Sequence, residues 1–413
     1  MLVKYSTIQQ YILLYFLLIF QGTILFREYN DIILVAVICI FFSGIIKFRR
    51  YYSDLDRIGI GLSGLLLLVL IFTSGSLGIS SILANFARIA IVSLAYVVDR
   101  EKFAERFVKI IVFFAVISLI FFAVQCVDMN FLTSFMKQTA YEVDVSYGKV
   151  RWNLYSTPFF QFNNTTLRNI GICNEPGLYQ ILLVSALYVL MFKGSTLYEV
   201  TESQTKRYMV ILLITLATTL SLTGYVNMLF LLSCYFLLPT SANDASTRRT
   251  KRLLALLLVV LAIALANGMA TEVIEKNIFE KINRISLSAD AEESRLVSAF
   301  ADLNVAIRHP FGAGFEVYHR EWKSFVIADI IDGASCVGLT QWMAVYGFIP
   351  TLYLLIMLVR MAIRNNTYVI QTVALLAIYL NTCCSQPNML FPALLALFII
   401  KDQEYNQIGE NNV

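Results

Sequence analysis

Charge is scarce in this chain. Only 15% of its 413 residues are Asp, Glu, Lys or Arg, against about 25% in soluble domains, which excludes an ordinary soluble fold. With 58% hydrophobic residues and a mean hydropathy of +0.70, lipid is the expected solvent. The net charge of +4 is small and scattered in short clusters, which excludes a nucleic-acid footprint. No CxxC pair occurs among the seven cysteines, and Cys39, Cys126, Cys234, Cys383 and Cys384 fall inside apolar runs. Neither a metal site nor a disulfide framework is therefore implied, although Cys173 and Cys336 could pair. Clustered acidic metal ligands, internal repeats and low-complexity tracts are lacking as well. Histidine is nearly absent: His309 and His319 are the only two. The opening run, MLVKYSTIQQYILLYFLLIFQ, lacks a small-residue cleavage site and reads as a retained span, not a removed signal peptide.

What is abundant is apolar sequence in helix-length runs. A hydrocarbon core about 30 Å thick needs roughly 20 apolar residues per helix. Runs of that kind fall near residues 8–26, 31–46, 58–73, 81–98, 109–127, 174–192, 208–222, 225–238, 253–269, 336–359, 368–383 and 386–400. The pattern predicts an all-α polytopic membrane protein of about twelve transmembrane helices, forming a single integral membrane domain over 1–413. Basic residues gather in alternate loops, as the positive-inside rule requires: Lys47, Arg49, Arg50 and Arg57, then Lys102, Arg106 and Lys109, then Lys193, Lys206 and Arg207. Arg248, Arg249, Lys251 and Arg252, then Arg360 and Arg364, then Lys401 continue the series. Both termini are thereby expected to be cytoplasmic. The stretch Tyr208–Leu238 would be about 46 Å long as one helix, and basic flanks at both ends call for an even number of crossings, so a break is expected at Thr223 and Gly224. Two long segments, 128–170 and 270–335, are left outside, each expected to contain short helices. Loops of that length usually carry function.

The first outer segment interleaves Tyr141, Tyr147, Trp152, Tyr155, Phe159, Phe160 and Phe162 with Lys149 and Arg151. Aromatic faces beside cations suit a sugar joined to phosphate; they equally suit anchoring at the membrane surface. The segment ends in RNIGICNEPGLYQ, where Arg168 precedes Glu175 by seven residues and Pro176 opens an apolar helix. Glu175 would complement the helix dipole, or with Arg168 form a charged site at the membrane boundary. In the second outer segment Asp290 and Glu293 resemble a capping box. Leu296, Phe300, Leu303 and Ile307 follow at helical spacing as a core stripe, while Arg295 and Asp302 share another face. The helix is expected to run to Arg308 and to end in RHPFGAGFEVYHREW, where Gly312 and Gly314 permit close backbone approach. His309 there could be a base or simply a solvated loop residue. Arg88, in NFARIAIV, lies within the fourth span, where an arginine either serves function or snorkels to headgroups.

In span order and in the two large outer segments the chain resembles the O-antigen polymerase and O-antigen ligase superfamily, which includes capsule and exopolysaccharide polymerases. The local carriers are RNIGICNEPGLYQ, the SLTGY turn, SRLVSAFADLNVAIRHPFGAGF and the apolar pair after Tyr346 and Gly347. The resemblance implies a glycosyltransferase of the bacterial cytoplasmic membrane, without metal or cofactor, that uses undecaprenyl-diphosphate-linked oligosaccharides. Carried over by position, the resemblance gives catalytic roles to Arg168, Glu175 and His309 and substrate binding to Arg295; the residues themselves add Arg308, Arg88, Arg151 and Trp152 as substrate-binding candidates. The flippase and chain-length regulator of the same pathway are the implied partners. The ligase's fuller histidine motif is not matched after His309, which favours polymerase over ligase. Arginine forks can stabilise a departing diphosphate in place of a divalent cation, and a base such as His309 or Glu175 would activate the acceptor hydroxyl. Ligation to another acceptor and transport of the same lipid are the rival functions.

Overall fold

The structure, a computed structural model, describes residues 5–47, 53–73, 77–145, 148–163, 166–238, 295–325 and 337–402. Most of these are helical. Polar residues between apolar runs start the helices. After α1 (Tyr5–Ile19) and α2 (Ile24–Lys47), Ser53 and Asp56 form a capping box at the start of α3 (Asp54–Phe72). Beyond α4 (Ile79–Val98), Asp99 caps α5 (Arg100–Val127) by accepting from the Lys102 amide. A short α6 (Met129–Phe135) leads to strands β1 (Lys137–Val145), β2 (Gly148–Ser156) and β3 (Gln161–Asn163). Pro176 opens α7 (Pro176–Phe192), Thr201 with Gln204 caps α8 (Glu202–Thr218), and Ser221 caps α9 (Leu222–Leu237). The series resumes with α10 (Arg295–Arg308), α11 (Gly314–Phe325), α12 (Gly338–Tyr346), α13 (Phe348–Asn365), α14 (Val369–Cys383) and α15 (Pro392–Ile399).

Four of these, α3, α4, α5 and α13, are long and apolar enough to cross a membrane, and five shorter apolar helices accompany them. Large apolar side chains such as Ile32, Val35, Ile71 and Phe72 remain exposed on the bundle, as suits an apolar solvent. In contrast α15 is buried at every position and α7 at nearly every one, so the other helices surround these two. At one end of the bundle Lys102, Arg106, Lys193 and Arg364 pair with Glu199, Asp99, Asp402 and Asp54. The opposite end carries the sheet, α10, α11 and α12.

Several expectations change. The first long loop holds a three-stranded antiparallel sheet, in order β1-β2-β3, and not short helices alone. Its register opposes Glu142 to Arg151 and Asp144 to Lys149, residue types that favour antiparallel pairing when opposed. The helix break in Tyr208–Leu238 lies at Thr219–Ser221, where Leu220 takes a φ of +49°, while Thr223 and Gly224 are within α9. The span at 336–359 divides into α12 and α13 at Gly347. There Gly347 (φ +91°) meets Gly312 (φ +95°): a Cβ on Gly347 would lie 2.6 Å from the Phe311 carbonyl carbon, and one on Gly312 would lie 2.8 Å from that of Tyr346. Only glycine fits such a crossing.

The stripe on α10 also points the other way. Phe300 and Ile307 are 73% and 71% exposed, whereas Ala301, Asp302, Val305 and Ala306 are buried on the side where α10 packs against α12 and α11. Reading an apolar stripe as core assumes water outside. Here the small residues Ala301, Val305 and Ala306, with Asp302, are the ones that let α10 approach its neighbours closely. The expected span at 253–269, the capping box at Asp290 and Glu293, and Cys336 lie outside the described residues.

Candidate functional site

Arg88 is the tenth of the twenty residues of α4, about 14 Å from either end at 1.5 Å per residue. Its Nη1 donates to Asn85 Oδ1 at 3.1 Å, one helical turn earlier. Asn85 Nδ2 in turn donates to the Tyr346 hydroxyl at 3.2 Å, and Ser81 Oγ lies 2.8 Å from the same hydroxyl. No carboxylate within ion-pair distance of Arg88 is found among the described residues. The guanidinium borders a cavity of about 290 Å³ whose walls come from Phe315 on α11, Gln341, Trp342, Val345 and Tyr346 on α12, and Pro387 and Asn388.

The last two belong to a turn that interrupts the final helical pair. The fifteen residues of α14 and eight of α15 reach about 22 and 12 Å, short of a bilayer's 30 Å. The turn between them is therefore inside the bundle, with Ser385, Gln386, Met389, Leu390 and Phe391 buried. Irregular backbone at such depth needs its polar groups met by protein, and several are. The Gly338 amide donates to the Gln386 carbonyl at 2.9 Å, Asn388 Oδ1 accepts from the Met389 and Leu390 amides, and the Tyr379 hydroxyl donates to the Met389 carbonyl.

A second charged place lies at the N-terminal end of α7. Arg168 donates from Nε to the Thr219 carbonyl at 3.1 Å and from Nη2 to that of Leu220 at 2.6 Å, capping the end of α8. Burial pushes its guanidinium down to about 10, opposed by Tyr225 and Glu175, so it is still a cation at neutral pH. Next to it Asn169 donates to Ser118 Oγ and Thr218 Oγ1. Arg168 and Glu175 are thus close enough to interact electrostatically, though they form no ion pair. Glu175 is exposed at the N-cap position of α7.

The third place is the turn after α10. His309 Nε2 lies 2.9 Å from Glu321 Oε1 on α11. The exposed Arg308 guanidinium covers the Phe325 ring, 4.7 Å from its centroid. Asp302 is fully buried and accepts from the Tyr318 hydroxyl and Thr340 Oγ1, both at 2.7 Å. It ties α10 to α11 and α12. Arg151 stands on β2 opposite Glu142, and Trp152 opposite Tyr141; their side chains, like that of Arg295 at the start of α10, lie outside the described residues.

The candidate residues whose side chains are described thus occupy three places and not one. Two links join the Arg88 cavity to the His309 turn: the crossing of Gly312 with Gly347, and Phe315, which lines the cavity and stacks on His319 at 6.3 Å. His319 itself has its imidazole pushed down, by burial and then by Lys323. Asn85 was findable from its i−3 spacing to Arg88. Glu321, twelve residues beyond His309 and across a glycine turn, carried no such signal. Among the described residues no three His, Cys, Asp or Glu side chains gather where a metal could be held. No family model matches the chain, and no curated protein matches it.

Proposed function

We propose that the protein is a membrane glycosyltransferase that joins repeat units of a bacterial surface polysaccharide, drawing its donor from a polyprenyl diphosphate. The observation that carries this reading is Arg88. A cation halfway along an apolar helix is costly and marks function by default. Here it has an amide for company and a cavity in front of it. A polyprenyl diphosphate carries an anion on an apolar chain, and a guanidinium fork matches that anion's oxygens. The Trp342 and Tyr346 rings, 4.4 Å apart, give the cavity aromatic faces for the first sugar. Nucleotide sugars are absent outside the cytoplasmic membrane, so a donor delivered on lipid fits chemistry at the end of the bundle that bears the sheet and α10. His309 supplies the base for the acceptor hydroxyl.

Purified protein in detergent, given lipid-linked repeat units and no nucleotide or metal, should lengthen them into a ladder. Transport of the same lipid is the second reading, and the depth of Arg88 beside a broken helical pair favours it, since transporters bind near the midplane at discontinuous helices. Sealed vesicles distinguish the two. A transporter moves labelled lipid across them and makes no ladder in detergent.

A further inference from the structure

We infer that Glu321 is a positioning residue for His309: it holds the Nε2 side of the imidazole and leaves Nδ1 to face the acceptor. This rests on the glycosyltransferase reading above, in which His309 takes the acceptor proton. Nε2 and Oε1 are 2.9 Å apart, and the two side chains are 32% and 24% exposed, so the pair is open to a ligand and not sealed in the core. An ionised carboxylate only accepts, so Nε2 carries the hydrogen and the neutral ring keeps its lone pair on Nδ1. Among the described residues Nδ1 has no partner. The second oxygen of Glu321, Oε2, is buried without a donor, which leaves the imidazole as the group that answers this carboxylate's charge.

A bridge that merely closes the turn would be redundant. The turn is already fixed by backbone bonds, from Gly312 N to His309 O at 2.8 Å, Ala313 N to Ala344 O at 2.9 Å and Phe348 N to Pro310 O at 3.0 Å. Among the described residues Glu321 is the one charged group paired with the ring. On α10 and α11 Asp302 is bound to Tyr318 and Thr340, Arg308 covers Phe325, and Glu316, Arg320 and Lys323 are exposed. Neither α12 nor the first turn of α13 carries a charged residue. In the transfer step the acceptor O–H proton passes to Nδ1 and the acceptor oxygen bonds to the anomeric carbon. The bond from that carbon to the diphosphate oxygen breaks, its electron pair leaving with the diphosphate. A carboxylate behind Nε2 stabilises the imidazolium formed.

The chain has two histidines, so His319→Gln leaves His309 as the one imidazole for ¹⁵N NMR in detergent. The Nε2–H tautomer is expected, and that preference should be lost in Glu321→Gln, whose side-chain amide can donate to Nε2 as well as accept from it. In the chain with both histidines, Glu321→Gln should lower kcat for ladder formation by about 10-fold or more while KM for the lipid-linked donor holds. The same tautomer in both proteins overturns the pairing. A changed tautomer with kcat unaltered overturns the catalytic role while leaving the ladder, and the glycosyltransferase reading, intact. Wild-type protein that makes no ladder removes the reaction and the role of Nδ1 with it.

Discussion

Arg168 clamps Leu220: Nη2 donates to the Leu220 carbonyl at 2.6 Å, while Nε takes the neighbouring carbonyl of Thr219. Leu220 is the one non-glycine residue at positive φ among the described residues, a conformation that costs roughly 1–2 kcal/mol. The break between α8 and α9 therefore depends on a residue some fifty positions away. Arg168→Ala should lower melting in detergent, because each orphaned buried carbonyl costs about 1–3 kcal/mol. Arg168→Lys should recover part of the loss, one point charge replacing a two-pronged donor. Wild-type melting in both variants would leave Arg168 free for a purely ligand-binding role.

Arg88 is argued to meet an anion and not to support the fold. Arg88→Gln should keep normal expression and melting but lose binding of a fluorescent polyprenyl-diphosphate analogue by about 10-fold or more, the scale of a charged hydrogen bond of 1.5–3 kcal/mol. Retained binding with collapsed stability would make Arg88 structural.

The two faces of α10 should respond oppositely. Ala306 is fully buried, so Ala306→Leu overpacks the contact between helices at a cost of about 1–3 kcal/mol. Phe300 is 73% exposed, and Phe300→Ala should cost well under the roughly 3–5 kcal/mol of a core phenylalanine. Melting of both variants in lipid nanodiscs checks this. The reverse order would restore the stripe as core.

Lys193 is fully buried at the end of α7, 2.7 Å from the Asn365 carbonyl and 3.4 Å from Asp402 Oδ1. Burial pushes its ammonium down to about 8 from 10.5, against the pull of Asp402. Between those two values the unfolded chain holds the proton more tightly than the folded one. Stability should therefore rise with pH across that window. Lys193→Met should lose that rise. At pH 7 it should also cost about 3–5 kcal/mol by leaving Asp402 unpaired, partly recovered in the double variant with Asp402→Asn. A pH dependence identical to wild type in Lys193→Met would exclude the linkage.

The orientation expected from the basic clusters can be read by labelling. With the seven cysteines replaced, Ser134→Cys on α6 and Ser324→Cys on α11, both exposed, should react with an impermeant maleimide in intact cells. Ser203→Cys on α8 should react only after permeabilisation. The opposite pattern would invert the topology and place the Arg88 cavity toward the cytoplasm.

Helix positions were largely legible in the sequence, because lipid-length apolar runs and the polar caps between them are local signals. Pro176 at the start of α7 and the halt of α10 at Arg308 before Pro310 followed from one residue's chemistry each. Other features were decided by partners distant in the chain. The break at Leu220 depends on Arg168, the division at Gly347 on Gly312, and the outward face of α10 on small residues meeting α12. The sheet at 137–163 escaped a reading tuned to spans, since its alternating strands lie among aromatics that also suit a membrane surface. Local sequence thus determined which segments are apolar helices and that Arg88 is embedded in one. Only the tertiary structure decided that Arg88 faces a cavity, that Arg168 grips a helix end and that Glu321 stands behind His309, because pairing across a turn or between helices leaves no periodic trace in the chain.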